Sequence, residues 1–115
     1  MARILVADDD EACREMLAAL YGRTHEVVTV ESTEAAWLKL QEPVHFDALV
    51  CDGFDGDGPR LLRAVRNHYP RIRTLLYSGR QALVLLEASH GGRALLKPAS
   101  VEALLAAVAP AEAAA

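Results

Sequence analysis

The sequence predicts an α/β protein in which helices cover both faces of a parallel sheet. Five short apolar segments alternate along the chain with segments of helical periodicity. The connections are short, so consecutive strands should be joined by right-handed crossover helices. A chain of 115 residues with 52% apolar side chains is long enough for one hydrophobic core and too short for two. We therefore expect one domain over residues 1–109 and a disordered Ala-rich tail over 110–115.

Each predicted strand is a short apolar run that stops at polar or turn-forming residues. Such runs are typical of strands in a parallel sheet, because both of their faces are buried. The predicted strands are Ile4–Ala7, Val27–Val30, Phe46–Cys51, Thr74–Tyr77 and Ala94–Leu96.

The segments between the strands carry apolar residues at intervals of three and four, which is the period of an amphipathic helix. We expect Met16 on the buried face of the first helix, and Trp37 of the second helix in the core. On the third helix, Arg60, Arg63 and Arg66 should face water. The predicted helices begin near Glu11, Ser32, Pro59, Ala82 and Ser100, with the two serines as N-caps, and the last helix ends at Val108.

The charge and cysteine content exclude several function classes. The formal net charge is −4, so the electrostatics give no reason to expect direct binding to nucleic acid or an anionic membrane. The amino terminus has four apolar residues before its first acids, which fits neither a signal peptide nor a membrane span and predicts a cytoplasmic protein. Cys13 and Cys51 lack the spacing of a zinc or redox site and are expected to be buried free thiols.

Polar side chains stand at the carboxyl ends of four predicted strands. They are Asp8 and Asp9 after the first, Asp52 after the third, Ser78 after the fourth and Lys97 after the fifth. Carboxyl ends of parallel strands share one edge, so we expect these side chains to converge. Clustered carboxylates need a cation, Lys97 alone would not balance them, and oxygen ligands favour Mg²⁺. Such a site could stabilise a phosphoryl group during its transfer to Asp52, an ionised nucleophile that needs no general base.

Four separate segments of the chain resemble motifs of the receiver domain of two-component response regulators, and they occur in the order found in that family. The resemblance extends from Ile4 to Val108, and it implies a flavodoxin-like, doubly wound five-stranded sheet of order 2-1-3-4-5. The segments that carry it are Ile4–Asp10, Leu49–Asp52, Leu75–Gly79 and Ala94–Pro98.

The resemblance also implies a phosphorylation site and a metal site. Asp52 would be the phosphorylated residue, and Asp9 would coordinate Mg²⁺ directly. Asp8 would help to hold the ion through water, and the main-chain carbonyl of Phe54 would be the third protein ligand.

The same resemblance implies roles for Ser78 and Lys97, each of which would bind a phosphoryl oxygen. The phosphodonor would be a phosphohistidine on a histidine kinase or phosphotransfer protein, and signalling would pass to an unidentified protein target. We expect a monomer or weak dimer that catalyses at most its own aspartyl phosphorylation and dephosphorylation. No direct contact with nucleic acid or membrane is expected.

The chain departs from the family pattern at three places. The loop after Asp52 lacks the family's proline and reaches Gly58 sooner than receivers usually do. Ala94 stands three residues before Lys97, where the family has an aromatic switch residue. The span from Ser78 to Lys97 is short, mostly in the fourth helix. A phosphorylation-independent interaction module that binds through the altered fourth-helix face is therefore the alternative function.

Three other roles for the acidic residues are a helix cap, a calcium-binding loop and a phosphatase site. Asp10 is better explained as a helix cap than as a metal ligand. A calcium loop counted from Asp52 or Asp55 would need a Glu where Arg63 or Arg66 stands. A haloacid dehalogenase-type phosphatase at Asp55-Gly56-Asp57 would need its first acid at a strand end, and a larger domain.

The remaining basic residues give no site by their spacing. A run of arginines is interpreted as the solvated face of a helix, and the histidines are expected at the surface without ligand spacing. The arginines are Arg60, Arg63, Arg66, Arg71 and Arg73, and the histidines are His25, His45, His68 and His90.

Overall fold

The computed structural model describes residues 1–109, which form a five-stranded parallel sheet of order β2-β1-β3-β4-β5. This confirms the predicted fold class and strand order; the predicted tail over 110–115 lies outside the described residues. No helix within 1–109 is long and apolar enough to cross a membrane. The elements are β1 Arg3–Ala7, α1 Glu11–Tyr21, β2 Glu26–Val30, α2 Thr33–Leu40, β3 Ala48–Cys51, a 3₁₀ turn Phe54–Gly56, α3 Asp57–His68, β4 Arg73–Ser78, α4 Gln81–Ser89, β5 Arg93–Leu96 and α5 Val101–Val108.

The sheet separates two apolar cores because successive side chains of a strand point to opposite faces. In β1, which lies between β2 and β3, Leu5 and Ala7 pack into the core that contains buried residues of α2, α3 and α4. Ile4 and Val6 pack into the other core, beneath α1 and α5. All four side chains are 0% exposed. The near-continuous apolar sequence of β1 is therefore explained by burial on both faces.

The register of the strands brings their carboxyl ends to one level. Asp52 donates its main-chain N–H to Ala7 at 2.8 Å, and Asp8 donates to Val30 at 3.1 Å. At the other side of the sheet, the main-chain N–H of Lys97 donates to Ser78 at 2.8 Å. Each of these residues is thus fixed by one last inter-strand hydrogen bond, and its side chain emerges at the same edge.

The first two helices correct two expectations about the core. Met16 is 43% exposed, and Tyr21 is buried on α1 together with Cys13 and Leu17, which the apolar stripe of the sequence also contains. The Tyr21 hydroxyl donates to the carbonyl of Leu104 at 2.8 Å, which ties α1 to α5. Trp37 is only partly buried and packs against the edge of the core.

Both serine N-caps are present. The Ser32 hydroxyl accepts the N–H of Ala35 at 3.0 Å, and the Ser100 hydroxyl accepts the N–H of Ala103 at 3.1 Å. Each cap satisfies one of the main-chain donors that the first turn of a helix leaves unpaired.

Arg66 does not simply face water, as the helical spacing suggested. Its Nη1 lies 2.5 Å from Oε2 of Glu87, whose side chain on α4 is only 2% exposed. A Cβ added at Gly92 would lie 2.3 Å from the same carboxylate oxygen, so the carboxylate packs directly against the main chain of Gly92. A buried carboxylate requires a cationic partner, and Arg66 supplies it across the α3–α4 contact.

Replacing Arg66 should therefore cost more stability than replacing an exposed arginine of the same helix. We expect Arg66→Met to lower the free energy of unfolding by about 3 kcal/mol, since Glu87 would remain buried without its partner. Arg63→Met, at an exposed position on α3, is the matched control and should change it by no more than about 0.5 kcal/mol. Urea denaturation of the two variants measures the difference, and equal losses would contradict the role of the pair.

Both cysteines are buried free thiols, as predicted. Burial, aided by a hydrogen bond with Asp8, raises the pKa of Cys13 from 9.0 to about 12. Burial raises the pKa of Cys51 well above its ordinary 9.0, and the neighbouring Asp52 adds to the effect. The folded protein thus keeps both thiols protonated at a pH where the unfolded chain ionises them.

Stability should therefore fall in alkaline solution. Above pH 9 the unfolded state binds fewer protons than the folded state, so each thiol lowers the free energy of unfolding, and Cys13 alone lowers it by about 1.4 kcal/mol at pH 10. Denaturation at pH 7 and pH 10 measures this loss. Cys13→Ala/Cys51→Ala should show a clearly smaller difference between the two pH values, whereas an unchanged difference would mean that other groups cause the loss.

Candidate functional site

An ammonium group lies between two carboxylates at the carboxyl edge of the sheet. Lys97 Nζ lies 2.8 Å from Asp8 Oδ2 and 3.0 Å from Asp52 Oδ1. Asp8 follows β1, Asp52 follows β3 and Lys97 follows β5, so the three meet only because their strands end at the same level. The structure thus brings together three of the residues singled out from the sequence.

Both carboxylates are also held by main-chain donors. Asp8 is 1% exposed, and its Oδ1 accepts the N–H of Asp10 at 2.9 Å. Asp52 Oδ2 accepts the N–H of Phe54 at 3.1 Å. Asp10 stands at the N-cap position of α1, as predicted, but its side chain makes no capping hydrogen bond. Asp8 thus binds Lys97 with Oδ2 and the main chain at the start of α1 with Oδ1, which fixes its carboxylate relative to this helix.

Lys97 remains charged in this setting. Burial opposes its charged form, but the hydrogen bonds and attraction to Asp8 and Asp52 outweigh burial and raise the pKa of the ammonium above its ordinary range. The ammonium also lies 5.4 Å from the centre of the Tyr77 ring, which adds a cation–π contact.

A third carboxylate leaves the site with excess negative charge. Oxygen atoms of Asp8, Asp9 and Asp52 lie within 4.8 Å of one another, and Asp9 is exposed. Three carboxylates and one ammonium carry a formal charge of about −2, which a divalent cation would neutralise. An all-oxygen donor set with one exposed carboxylate fits Mg²⁺, which keeps several waters in its coordination shell.

Ser78 ends β4 next to the loop that follows Asp52. It is 2% exposed, and its Oγ accepts the N–H of Arg80 at 3.1 Å. A Cβ added at Gly53 would lie 2.9 Å from this Oγ, so the two strand ends are in close contact. Within residues 1–109 the hydroxyl donates to no carboxylate, which leaves its proton available to a ligand at the edge of the sheet.

The loop after Asp52 is a tight left-handed turn. Phe54, Asp55 and Gly56 have φ of 45°, 53° and 107°, and α3 begins at the next residue. The Phe54 carbonyl accepts the N–H of Asp57, so the predicted metal ligand already closes the 3₁₀ turn with one hydrogen bond. A carbonyl oxygen has a second lone pair, and coordination by Phe54 stays a prediction.

Gly58 is required by the same turn. Its N–H donates to the Gly53 carbonyl at 2.9 Å, and an added Cβ would lie only 2.0 Å from the carbonyl oxygen of Asp52. No side chain fits between α3 and the acid-bearing strand end. The short loop thus packs the first turn of α3 directly against the main chain of Asp52.

Two arginines of this edge were not singled out from the sequence. Arg14 Nη1 donates to the main-chain carbonyl of Asp8 at 2.9 Å, and Arg80 Nη1 lies 3.1 Å from Asp55 Oδ1. Arg14 supports the turn that carries Asp8, while Arg80 joins two loops at the rim. Arg14 falls one helical turn after Asp10 and Arg80 two residues after Ser78, and these offsets were the signals available in the sequence.

Solved structures provide the comparison, because the sequence matches no family model and no curated protein. The BeF3-activated DrrB receiver domain aligns with a TM-score of 0.79 and 26% identity, covering 94% of each chain. A response regulator from Burkholderia pseudomallei, with a phosphorylated aspartic acid, calcium ion and citrate, gives 0.79 and 28%, covering 99% of this chain and 70% of that one. A receiver domain protein from Clostridium thermocellum gives 0.83 and 23%, covering 94% of this chain and 91% of that one.

This chain has the fold of a response regulator receiver domain. The resemblance carried by the four sequence motifs is thereby confirmed at the level of the fold. Some matched proteins are longer than this chain, which covers only 24% of NtrX from Brucella abortus.

Within the receiver fold, the region beneath α4 is built without an aromatic switch residue. Ala94 of β5 packs against the same core cluster as Leu83 of α4. One turn further along α4, the buried carboxylate of Glu87 pairs with Arg66 and rests on the main chain of Gly92. The position of α4 is therefore fixed by an ion pair and close main-chain packing.

Alanine substitutions at Gly58 and Gly79 test whether α3 packs tightly against the end of β3. Each adds the same methyl group, but only the one at Gly58 would meet a neighbouring atom. Gly58→Ala should lower the free energy of unfolding by about 3 kcal/mol, because its Cβ would overlap the Asp52 carbonyl. Gly79→Ala has nothing within 4 Å of the new Cβ and should change stability by no more than about 1 kcal/mol. Urea denaturation compares the two, and a tolerated Gly58→Ala would show that the α3 turn is not tightly packed in solution.

Proposed function

We propose that this chain is a phosphoacceptor receiver domain that takes a phosphoryl group onto Asp52 in a Mg²⁺-dependent reaction. The observation that carries the proposal is the ammonium of Lys97 between Asp8 and Asp52, with the Asp9 carboxylate close by, in a receiver fold. The donor would be a phosphohistidine on a histidine kinase or phosphotransfer protein.

Asp52 is the group best placed to act as nucleophile. It follows the central strand β3, and its side chain is 17% exposed, whereas that of Asp8 is 2% exposed. A carboxylate oxygen of Asp52 would attack phosphorus as the bond from phosphorus to the donor imidazole nitrogen breaks, and neutral imidazole would leave. A carboxylate is ionised at neutral pH, so no general base is needed.

Lys97 and Ser78 would stabilise the charge that develops on the transferred group. The Lys97 ammonium already contacts Asp52 Oδ1 and would bind one phosphoryl oxygen. The Ser78 hydroxyl, whose oxygen accepts from Arg80, has its proton free to donate to another. Both groups are fixed at strand ends, so little reorganisation would be needed during transfer.

Asp9, Asp8, Asp52 and the Phe54 carbonyl are the residues that would hold Mg²⁺. When bound, the ion would neutralise the carboxylates and the incoming phosphoryl oxygens. Lys97 holds one oxygen each of Asp8 and Asp52, which orients these carboxylates beside the exposed Asp9.

Two of the related proteins are consistent with this chemistry. The Burkholderia response regulator carries a phosphorylated aspartic acid with calcium, and the DrrB receiver domain is activated by BeF3. The same chemistry in this chain would act on Asp52.

The alternative function, an interaction module independent of phosphorylation, is favoured by one group of observations. Ala94 leaves α4 without a switch ring, and the Arg66–Glu87 pair fixes that helix. On the outer side of α4, Leu85 and Leu86 are 60% and 43% exposed, which suits a protein contact in either case.

A phosphoryl mimic distinguishes the two functions. With Mg²⁺ and beryllofluoride, amide NMR signals of Asp9, Asp52, Ser78 and Lys97 should shift in the wild type and not in Asp52→Asn. Asp57→Asn is the matched control and should respond like the wild type, because its carboxylate makes only an exposed 3.8 Å pair with Arg60. Incubation with an autophosphorylated kinase should add one phosphoryl group, measured by mass spectrometry, to the wild type and to Asp57→Asn, and none to Asp52→Asn. Unshifted site signals in the wild type would favour the interaction module.

A further inference from the structure

Tyr77 is a buried side chain of β4, directly before Ser78. It is 3% exposed and packs into the core beneath α1 and α5, together with Val6 and Val50. The other strand residues of this core have aliphatic side chains. A buried tyrosine differs from these because its hydroxyl needs a hydrogen-bond partner. The contacts of its hydroxyl and of its ring both lead to Lys97.

The hydroxyl of Tyr77 holds the main chain that follows Lys97. Its oxygen accepts the N–H of Ala99 at 3.1 Å. The N–H of Lys97 itself donates to the carbonyl of Ser78 at 2.8 Å, and Pro98 has no N–H to donate. The first two main-chain donors of this turn are thus bound by adjacent residues at the end of β4.

The ring of the same tyrosine lies against the ammonium of Lys97. Nζ is 5.4 Å from the ring centre, which is within the range of a cation–π contact. Nζ also contacts Asp8 at 2.8 Å and Asp52 at 3.0 Å. A lysine side chain is flexible by itself, so contacts with residues of β4 and with the ends of β1 and β3 restrict the position of its charge.

The contact with the ring differs from the two ion pairs because it uses no carboxylate. Transfer of a phosphoryl group would bond an oxygen of Asp52 to phosphorus and remove the charge of that carboxylate. A divalent cation would compete with the ammonium for the oxygens of Asp8. The buried ring of Tyr77 is changed by neither event, so its contact with Lys97 would persist throughout the transfer.

We propose that Tyr77 is a positioning residue for Lys97. The ring restrains the ammonium, and the hydroxyl restrains the main chain that follows it. The ammonium then meets a phosphoryl oxygen with little reorganisation, which favours stabilisation of the developing charge. The consequence for phosphoryl binding rests on the proposed function, whereas the restraint on Lys97 does not.

Two substitutions separate the ring from the hydroxyl. Tyr77→Leu removes both, whereas Tyr77→Phe keeps the ring and loses the hydrogen bond with Ala99. The matched controls are Tyr21→Leu and Tyr21→Phe. Tyr21 is a buried tyrosine of the same core, but its hydroxyl binds the carbonyl of Leu104 instead of the turn after Lys97.

NMR of the isotope-labelled full chain in EDTA tests the restraint without metal or phosphoryl mimic. The Cε–Hε signals of Lys97, which lie in the magnetic field of the ring, should shift in Tyr77→Leu and stay near their wild-type positions in Tyr77→Phe and the Tyr21 variants. Hydrogen exchange at the Ala99 amide should become about ten-fold faster in both Tyr77 variants only. Unmoved Lys97 signals in Tyr77→Leu, or an equal shift in Tyr21→Leu, would overturn the proposal.

Titration with beryllofluoride in the presence of Mg²⁺ tests the consequence for phosphoryl binding. Tyr77→Leu should weaken the Kd of this mimic by about five-fold, through loss of the cation–π contact, while Tyr21→Leu should keep the wild-type Kd. Equal Kd values for these two variants would overturn the role of Tyr77 in phosphoryl binding.

The two proposals fail in different ways. A wild type that does not bind beryllofluoride would overturn the proposed function, and the Lys97 and Ala99 signals in EDTA would still decide the restraint. If Tyr77→Leu does not fold, Tyr77→Phe decides through faster exchange at Ala99 and a Kd about two-fold weaker than that of Tyr21→Phe. Wild-type values of both in Tyr77→Phe would then refute the positioning role.

Discussion

The ion pairs of Lys97 with Asp8 and Asp52 are the contacts on which the carboxyl edge of the sheet depends. Asp8 is almost fully buried, and a buried carboxylate without a cation would be strongly unfavourable. The ammonium neutralises part of this charge and joins the ends of β1, β3 and β5, which are far apart in sequence. The same ion pairs make Asp52 a restrained, partly exposed carboxylate, which is the state that a phosphoacceptor requires.

Close main-chain packing and an ion pair surround this edge of the sheet. The loop after Asp52 is reduced to a left-handed turn, and Gly58 brings α3 against the main chain of the acid. On the next helix, the Arg66–Glu87 pair fixes α4 where an aromatic switch residue would otherwise stand near Ala94. A signal from Asp52 would therefore have to reach the surface through main-chain contacts and an ion pair, without rotation of a ring.

The charges of the molecule are separated between the two edges of its sheet. Acidic groups collect where the strands end, and arginines collect where β4 and β5 begin. The net charge of −4 conceals this separation because it sums over both edges.

The sequence by itself determined the alternation of strands and helices, the order of the motifs and the positions of Asp8, Asp52, Ser78 and Lys97 at strand ends. These follow from local pattern, since parallel strands must present their carboxyl ends at one edge. Only the tertiary structure decided that Arg66 pairs with Glu87 and that Tyr21 replaces Met16 in the core. Helical periodicity assigns a residue to a face of its own helix, but burial of a charge depends on which neighbouring element covers that face.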